Sequence, residues 1–598
     1  MKPFTTPRTN HGMTDQTYLL AIALVLIHAA AADETPITYD RTTKNRSGLK
    51  ASDVCLSCRM LHKDRPPTEA VEAWQPTRLE WSYINDPAFI RFVQEHDALF
   101  VGTLNTISGE GPDYDAERFD GTRMVAPWMT GFNDRGGPGW NTVVKPAVLT
   151  YQVAALKRFA DQGVFTFQHD DWLFNLSSYL WGGGDFSEPT LAAFAAYLES
   201  HAPESLRESA GVESWQDFNY RDYLQRTFGW TTVEEVKQQR GSDPLNVYWR
   251  RFHQNCSRTY FERLLAEAEA VAGRPVHVTV NANMLHLADC FILDLVDYLV
   301  GETRIAGEKE EADLVYMLKL ADALCLPQVV SPFPKDEIDV AAVRRTIALT
   351  YALGHRLLIP WDVWPGPGKP RWFGTVEEYG DLYRFVREHP DLFDGYRAYA
   401  DVALLIPLTS DRAVASDTAR LTTEVTRLLL ARGIPCRYAA CGEVAHSIRV
   451  PLAPDDLRGM AAVWVCGNTD DLPEADTALL EELSASAPLI RETDAGAIAN
   501  HLVEFVGSPT FETSSPQLLA FPRLRNKDDP LVVHLVNRGP TIENGFVFLA
   551  DRLLDGHAPT SVRMVSPGGG ETELPVHPAP GGIRIELPHL GLWGVLVL

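Results

Sequence analysis

The sequence predicts a (β/α)8 barrel followed by a flavodoxin-like α/β domain and a small C-terminal β-sandwich. Three observations predict it. Eight short β-rich runs, most followed by a helical stretch, fill roughly 290 residues from Arg78 onward. A second and shorter α/β rhythm starts near Val402, and the chain closes on alternating, turn-rich segments from Leu531. At 598 residues the chain is also too long for one core, so several domains are expected.

The runs, in order, are Arg78–Tyr83, Leu99–Asn105, Met124–Met129, Val164–Asp171, Val276–Asn283, Val296–Glu302, Ala323–Val330 and Arg356–Asp362. Helical patterns fall at Pro87–His96, Lys145–Gln162, Tyr260–Ala272, Ala312–Ala321 and Val340–Leu353. Strands that alternate with helices pair in parallel, which places the barrel at residues 78–398. Residues 173–259, rich in Trp, Tyr and Phe, interrupt it after the fourth run. An insertion there lands on the C-terminal face of the barrel and helps wall the site.

A break at Pro390–Tyr399 opens the α/β domain, 399–525, in which short apolar runs alternate with helices over Thr418–Arg432 and Ala475–Ser486. It carries no Gly-rich phosphate loop, so no nucleotide cofactor is expected. Such a domain beside a barrel could join copies of the chain as a homo-oligomer. Residues 526–598 form the β-sandwich, and residues 33–77, polar and Pro-spotted, read as an N-terminal arm. Ahead of it Tyr18–Ala32 is an apolar run ending in small residues, preceded by Lys2 and Arg8. It has the form of a signal peptide over residues 1–32 and is too short for a membrane span, which implies a secreted or periplasmic protein.

The net charge of −25 argues against a nucleic-acid partner or an anionic membrane surface, since both need a basic face. Among the eight cysteines Cys256, Cys290, Cys325, Cys436 and Cys466 sit in or beside apolar segments as small core residues. Cys55 and Cys58 form a lone CxxC without a second ligand pair, which favours a local disulfide over a metal site.

Strand parity brings chemistry to one rim. In the fourth run Thr166, Gln168 and Asp170 share a face opposite Phe165 and Phe167, and in the fifth His277, Thr279, Asn281 and Asn283 do so. The same reasoning places Glu80, Asn105 and Asp362 near strand tops, and Glu302 after Gly301 at the end of the sixth. Burying so many acids and amides together is expensive unless they are hydrogen-bonded or ligated, which strains a merely structural account. Asp170 and Glu302 are the expected catalytic pair. Glu80, Asn105, Trp128, His169, Asp171, Trp172, Asn281, Asn283, Trp361, Asp362 and Trp364 are expected to bind substrate, with no metal and no cofactor. Paired carboxyls in different protonation states suit glycosidic bond cleavage, and the flat rings of Trp81, Trp128, Trp172, Trp361 and Trp364 suit sugar faces.

The domain order over about residues 78–598 resembles glycoside hydrolases of the β-galactosidase family 42 type. That family carries a Glu after Asn at strand four and a Glu at strand seven. Here strand four ends in His169-Asp170-Asp171-Trp172 and strand seven in Pro327-Gln328-Val329, without an acid. Carboxylates at strands four and six resemble instead the α-galactosidase and α-glucosidase clans, and that resemblance implies Asp170 as nucleophile and Glu302 as acid/base. The reading is a secreted glycoside hydrolase of a poly- or oligosaccharide. The same residues also suit a non-catalytic carbohydrate-binding barrel, or a metal-dependent hydrolase or lyase.

Overall fold

The structure, a computed structural model, describes residues 36–107, 111–131, 137–305, 308–334, 338–366, 368–467, 472–485, 487–526, 529–554 and 559–598. The apolar run Tyr18–Ala32 lies outside them. Eight parallel strands form the barrel: β1 (Cys55–Ser57), β2 (Arg78–Ser82), β3 (Leu99–Leu104), β4 (Thr166–His169), β5 (His277–Val280), β6 (Tyr298–Ile305), β7 (Gln328–Pro334) and β8 (Arg356–Leu357). Each pairs with the next in sequence. Just past β8, Ile359 N donates to Cys55 O at 2.8 Å and draws the last strand onto the first.

Two strands differ from the sequence reading. The barrel begins at Cys55, inside the segment expected to be an arm. β1 is only three residues long, too short for any two-residue period to show. Its side chains explain the CxxC: Cys55 joins Trp81, Tyr298, Val300, Val329 and Leu358 inside the barrel, and Cys58 packs in the outer core. Pointing to opposite sides of the wall, the two thiols stay free, and no disulfide forms. The run Met124–Met129 is not a barrel strand. Met124 and Ala126 close a small cluster with Ala116 and Trp140 instead, tied by the isolated bridges Glu117–Arg123 and Val125–Gly139. Cys325 also departs from expectation, being exposed at a positive φ of 51°.

The insertion is helical. Helices α1 (Pro146–Ala160) and α3 (Asn246–Ala272) flank the barrel, with α2 (Asn175–Gly182) leaving β4 toward its mouth. α3 stops at Gly273, whose φ of 65° is a backbone conformation that glycine adopts without strain.

The second α/β unit is a six-stranded sheet. β9 (Val402–Leu408) lies between β10 (Cys436–Val444) and β12 (Ala462–Val465), all parallel, with β13 (Leu489–Ile490) beyond β12. β11 (Ile448–Val450) is antiparallel to β10, and Ile37–Thr38 adds to its edge from the other end of the chain. Helix α4 (Arg412–Leu430) follows β9, capped by Asp411, whose carboxylate accepts from Ala413 N and Val414 N. The last sheet is nine-stranded and antiparallel. It takes in Phe511–Thr513 and Leu518–Leu524, ahead of the expected boundary at 526, and also Arg397–Ala398. Gly570–Ala579 pairs with Ser561–Ser566 along its first half and with Gly582–Leu590 along its second, so one strand passes from layer to layer around a separate core.

Inside the barrel, below its mouth, lies a buried ion pair. Arg78 Nε donates to Glu80 Oε1 at 2.8 Å, and Tyr298 hydroxyl donates to Glu80 Oε2 at 2.9 Å. Glu80 has no exposed surface and belongs to the barrel's interior rather than to its rim. Breaking a buried pair strands the partner's charge, at about 3–5 kcal/mol. Glu80→Ala should therefore lower the urea unfolding midpoint strongly. A midpoint equal to wild type would show that the pair holds nothing together.

Candidate functional site

Register sets the site. Leu104, His169 and Val280 are opposite one another across β3, β4 and β5. The next residue of each chain is Asn105, Asp170 and Asn281, so these three emerge side by side at the barrel mouth. Asp170 N still donates to Leu104 O at 2.9 Å, and Asn281 N to His169 O at 3.1 Å, which extends the ladder by one residue. Asn281 Nδ2 then donates to Asp170 Oδ1 at 2.7 Å, and Asn105 Nδ2 to Oδ2 at 3.1 Å. Tyr83, one residue beyond β2, donates its hydroxyl to Oδ2 as well. Burial and the Asp170 charge push the Tyr83 hydroxyl well above its ordinary range, so it stays a donor. Three donors on one carboxylate are the surroundings of an anion.

Glu302 lies mid-strand in β6, which runs on to Ile305, and its side chain is 29% exposed. Arg59 Nη2 reaches its Oε1 at 3.4 Å. Burial raises the Glu302 carboxyl, Arg59 opposes that, and the charge of Asp170 adds to the rise. Asn283 donates to the Glu302 carbonyl at 2.9 Å and fixes the strand beside it.

Asp171 is the third acid. Burial pushes it up to about 6, against hydrogen bonds to its carboxylate from Trp140 Nε1 and Ser177 Oγ, while the Thr106 hydroxyl donates to its backbone carbonyl. Both its carboxylate oxygens are therefore engaged, one by each side of the excursion between β3 and α2.

These groups share one cavity of about 550 Å³. Asn105, Asp170, Asp171, Asn281, Asn283 and Glu302 line it, and so do Trp128, Trp172 and Trp364. Trp128 stands edge to face with Trp140 and with Trp181, both at 5.3 Å between centroids, and Trp181 is 47% exposed. The result is an indole ladder up the cavity wall. The sequence points to Trp81 among the sugar-facing Trp rings, but not to Arg59, Tyr83, Trp181 or Arg240. Trp81 is turned to the cavity by a bulge in β2, where register slips between Leu79 and Ser82 and Trp81 takes a φ of 53°. No strand period announces such a turn.

Four expected site residues stand elsewhere. Glu80 is held in the barrel interior, as described above. His169 faces the helices: its Nε2 meets Gln152 Oε1 of α1 at 3.1 Å, and burial depresses it to about 3, so it is neutral. Parity already grouped it with Phe165 and Phe167. Asp362 is wholly buried beneath the rim, where it accepts from Arg59 N at 2.7 Å, His62 Nε2 at 2.8 Å and Arg371 Nη1 at 2.8 Å. Trp361 packs edgewise on Phe373 beside it. Both acids are fully buried against partners of their own protein, Glu80 with Arg78 and Tyr298 and Asp362 with backbone and cations. Among the described residues no group of three His, Cys, Asp or Glu is disposed to hold a metal ion, and no helix is long and apolar enough to cross a membrane.

No protein-family model matches the chain. It is 24% identical over 440 residues to an α-agarase of Thalassotalea agarivorans, covering 70% of this chain and 29% of that protein. It is 24% identical over 444 residues to an α-agarase of Alteromonas agarilytica, covering 70% and 30%. The chain thus spans less than a third of the length of the curated relatives it matches. An α-L-fucosidase, isoenzyme 2 of Paenibacillus thiaminolyticus, has the same fold, with a TM-score of 0.60 at 12% identity over 91% of this chain and 99% of that one.

The raised Asp171 has a consequence for stability. An unfolded Asp ionises near 3.8, whereas the folded one keeps its proton to about 6. The folded state therefore binds more protons in that window, and stability falls as pH rises from 4 to 6 and then levels off. The loss is about 2 kcal/mol once its partial exposure is allowed for. Asp171→Asn should flatten that slope in unfolding midpoints measured across the window. A wild-type slope in the variant would refute the burial argument.

Proposed function

We propose that the protein hydrolyses glycosidic bonds of an agarose-type polysaccharide, with Asp170 as nucleophile and Glu302 as general acid and base. The observation that carries this reading is the unequal setting of two carboxyls in one cavity. Asp170 accepts from Tyr83, Asn105 and Asn281, while Glu302 is raised by burial and has one guanidinium contact. Glycoside cleavage needs that inequality, one carboxyl ionised and the other holding a proton. The sequence likeness to two α-agarases supports the polysaccharide class and an α-linkage as the bond cut. The Trp128–Trp181 wall supplies apolar faces for sugar rings, while Asn281 and Arg240 offer donors to hydroxyls.

On this assignment Asp170 Oδ attacks the anomeric carbon as Glu302 gives its proton to the departing glycosidic oxygen. Glu302, now a carboxylate, then takes a proton from water, whose oxygen displaces Asp170 and restores both groups. Two displacements leave the anomeric configuration unchanged. A polymer too large to enter a cell also suits an exported enzyme, the role expected of Tyr18–Ala32 as a signal.

Glu302→Gln should slow polysaccharide cleavage about 10²- to 10⁴-fold. An aryl glycoside with an acidic leaving group needs no proton in the first step and should lose far less of its bond-cleavage rate. The alkaline limb of the wild-type pH profile, set by a carboxyl above its usual range, should vanish in the same variant. Asp170→Asn should abolish turnover on both substrates. Equal losses on both substrates in Glu302→Gln, or an active Asp170→Asn, would remove these residues from their roles.

A further inference from the structure

A second cavity, about 1100 Å³ and the larger of the two, lies between the barrel and the six-stranded sheet. The turn Met284–Asp289 after β5 forms its barrel side. Helix α4 forms the opposite side and presents Ala415, Ser416, Ala419 and Thr423 to it. The two cavities meet end to end, because His286, Asp289 and Arg412 line both. Arg412, the first residue of α4, donates through Nε to Asp289 Oδ2 at 2.7 Å, and Arg250 of α3 donates to Oδ1 at 3.2 Å. One carboxylate thus pins the barrel turn, the insertion and the second domain together at the sill between the cavities.

Size and chemistry narrow what this space can hold. Small-molecule sites span roughly 300–1,000 Å³, so the catalytic cavity alone already suffices for a compact ligand. The space beyond the sill is placed to take a ligand that continues outward from the barrel. Its α4 wall sets small and hydroxyl-bearing residues beside the charged Arg420, Glu424 and Arg427, a mix of donors and acceptors that suits a polyhydroxylated chain.

We propose that this interdomain cleft is a saccharide trough, which binds the units of the polymer beyond the bond being cut, with α4 as its wall and the Asp289–Arg412 pair as its sill. The proposal rests on the glycosidase reading of the barrel mouth and assigns the second domain a part in substrate binding. Longer chains then bind more tightly because they reach α4.

The test is a titration of full-length protein with agarose oligosaccharides of increasing length. It uses an Asp170→Asn background so that the ligands stay intact, while reducing ends are followed in the otherwise wild-type enzyme. Affinity should rise with length. Ala415→Trp and Thr423→Trp, which fill the trough from α4, should each erase that gain, weakening the longest ligand about tenfold and the shortest much less. Arg420→Ala, a change at an exposed position, should reduce the gain about threefold and keeps the test decisive if a Trp variant fails to fold. Affinity independent of length, or a gain untouched in the folded variants, overturns the trough. Failure of the catalytic reading looks different. No reducing ends would then appear, yet binding would still rise with length and still be lost in the α4 variants. Absence of any binding would overturn both.

Discussion

A carboxylate at the centre of a barrel mouth has to be met by donors, since an ion removed from water without partners is prohibitively unfavourable. Here the donors come from neighbouring strands, each one residue past the strand's end: Tyr83, Asn105 and Asn281 around Asp170. The arrangement holds because Leu104, His169 and Val280 are in register. A slip of one residue in any of the three strands would turn the donor outward to the helices and leave Asp170 uncompensated. The chemistry of the mouth therefore depends on strand register rather than on any loop.

The same register divides the acids by role. Asp171, one residue on, faces Trp140 and Ser177 in the wall and is saturated there, whereas Asp170 keeps its place in the open cavity. Glu302 arrives by a third route, the inward face of β6, which also carries Tyr298 and Val300 into the barrel core. One inward face thus supplies packing at its lower end and a carboxyl at its upper end.

Much of this was readable from residues alone, and the failures have physical causes. Alternation placed Asp170, Asn281 and Asn105 on one rim because each follows a strand with a clear inside and outside. It also set Glu80 inward, but parity tells which side a residue faces and not its height, so a mid-barrel ion pair read as a rim acid. β1 was missed because three residues carry no period, and Cys55 with Cys58 reads as a local disulfide instead. Met124–Met129 was overread because a local cluster and a strand both ask for alternating apolar residues. Arg59 was beyond reach, since it stands on a loop after an unseen strand.

Asp362 shows how a residue outside the cavity still bears on it. It sits at a φ of 57°, which Asp tolerates better than most residues, and gathers Arg59 N, Met60 N, His62 and Arg371 around its carboxylate. Those bonds fix the loop after β1 and hence the start of the Arg59 side chain. The guanidinium then lies over the Trp81 ring at 3.9 Å, and the bulge in β2 holds that ring in place. With its base tied by Asp362 and its plane by Trp81, Arg59 meets Glu302 through Nη2 at 3.4 Å. A closer, two-pronged contact would be stronger and would pull the carboxyl down toward its ionised form. Held at this distance, Arg59 offsets part of the burial penalty and leaves Glu302 raised. Asp362 is thus a positioning residue. It acts two contacts away, through the length of one arginine, on the setting of the Glu302 carboxyl.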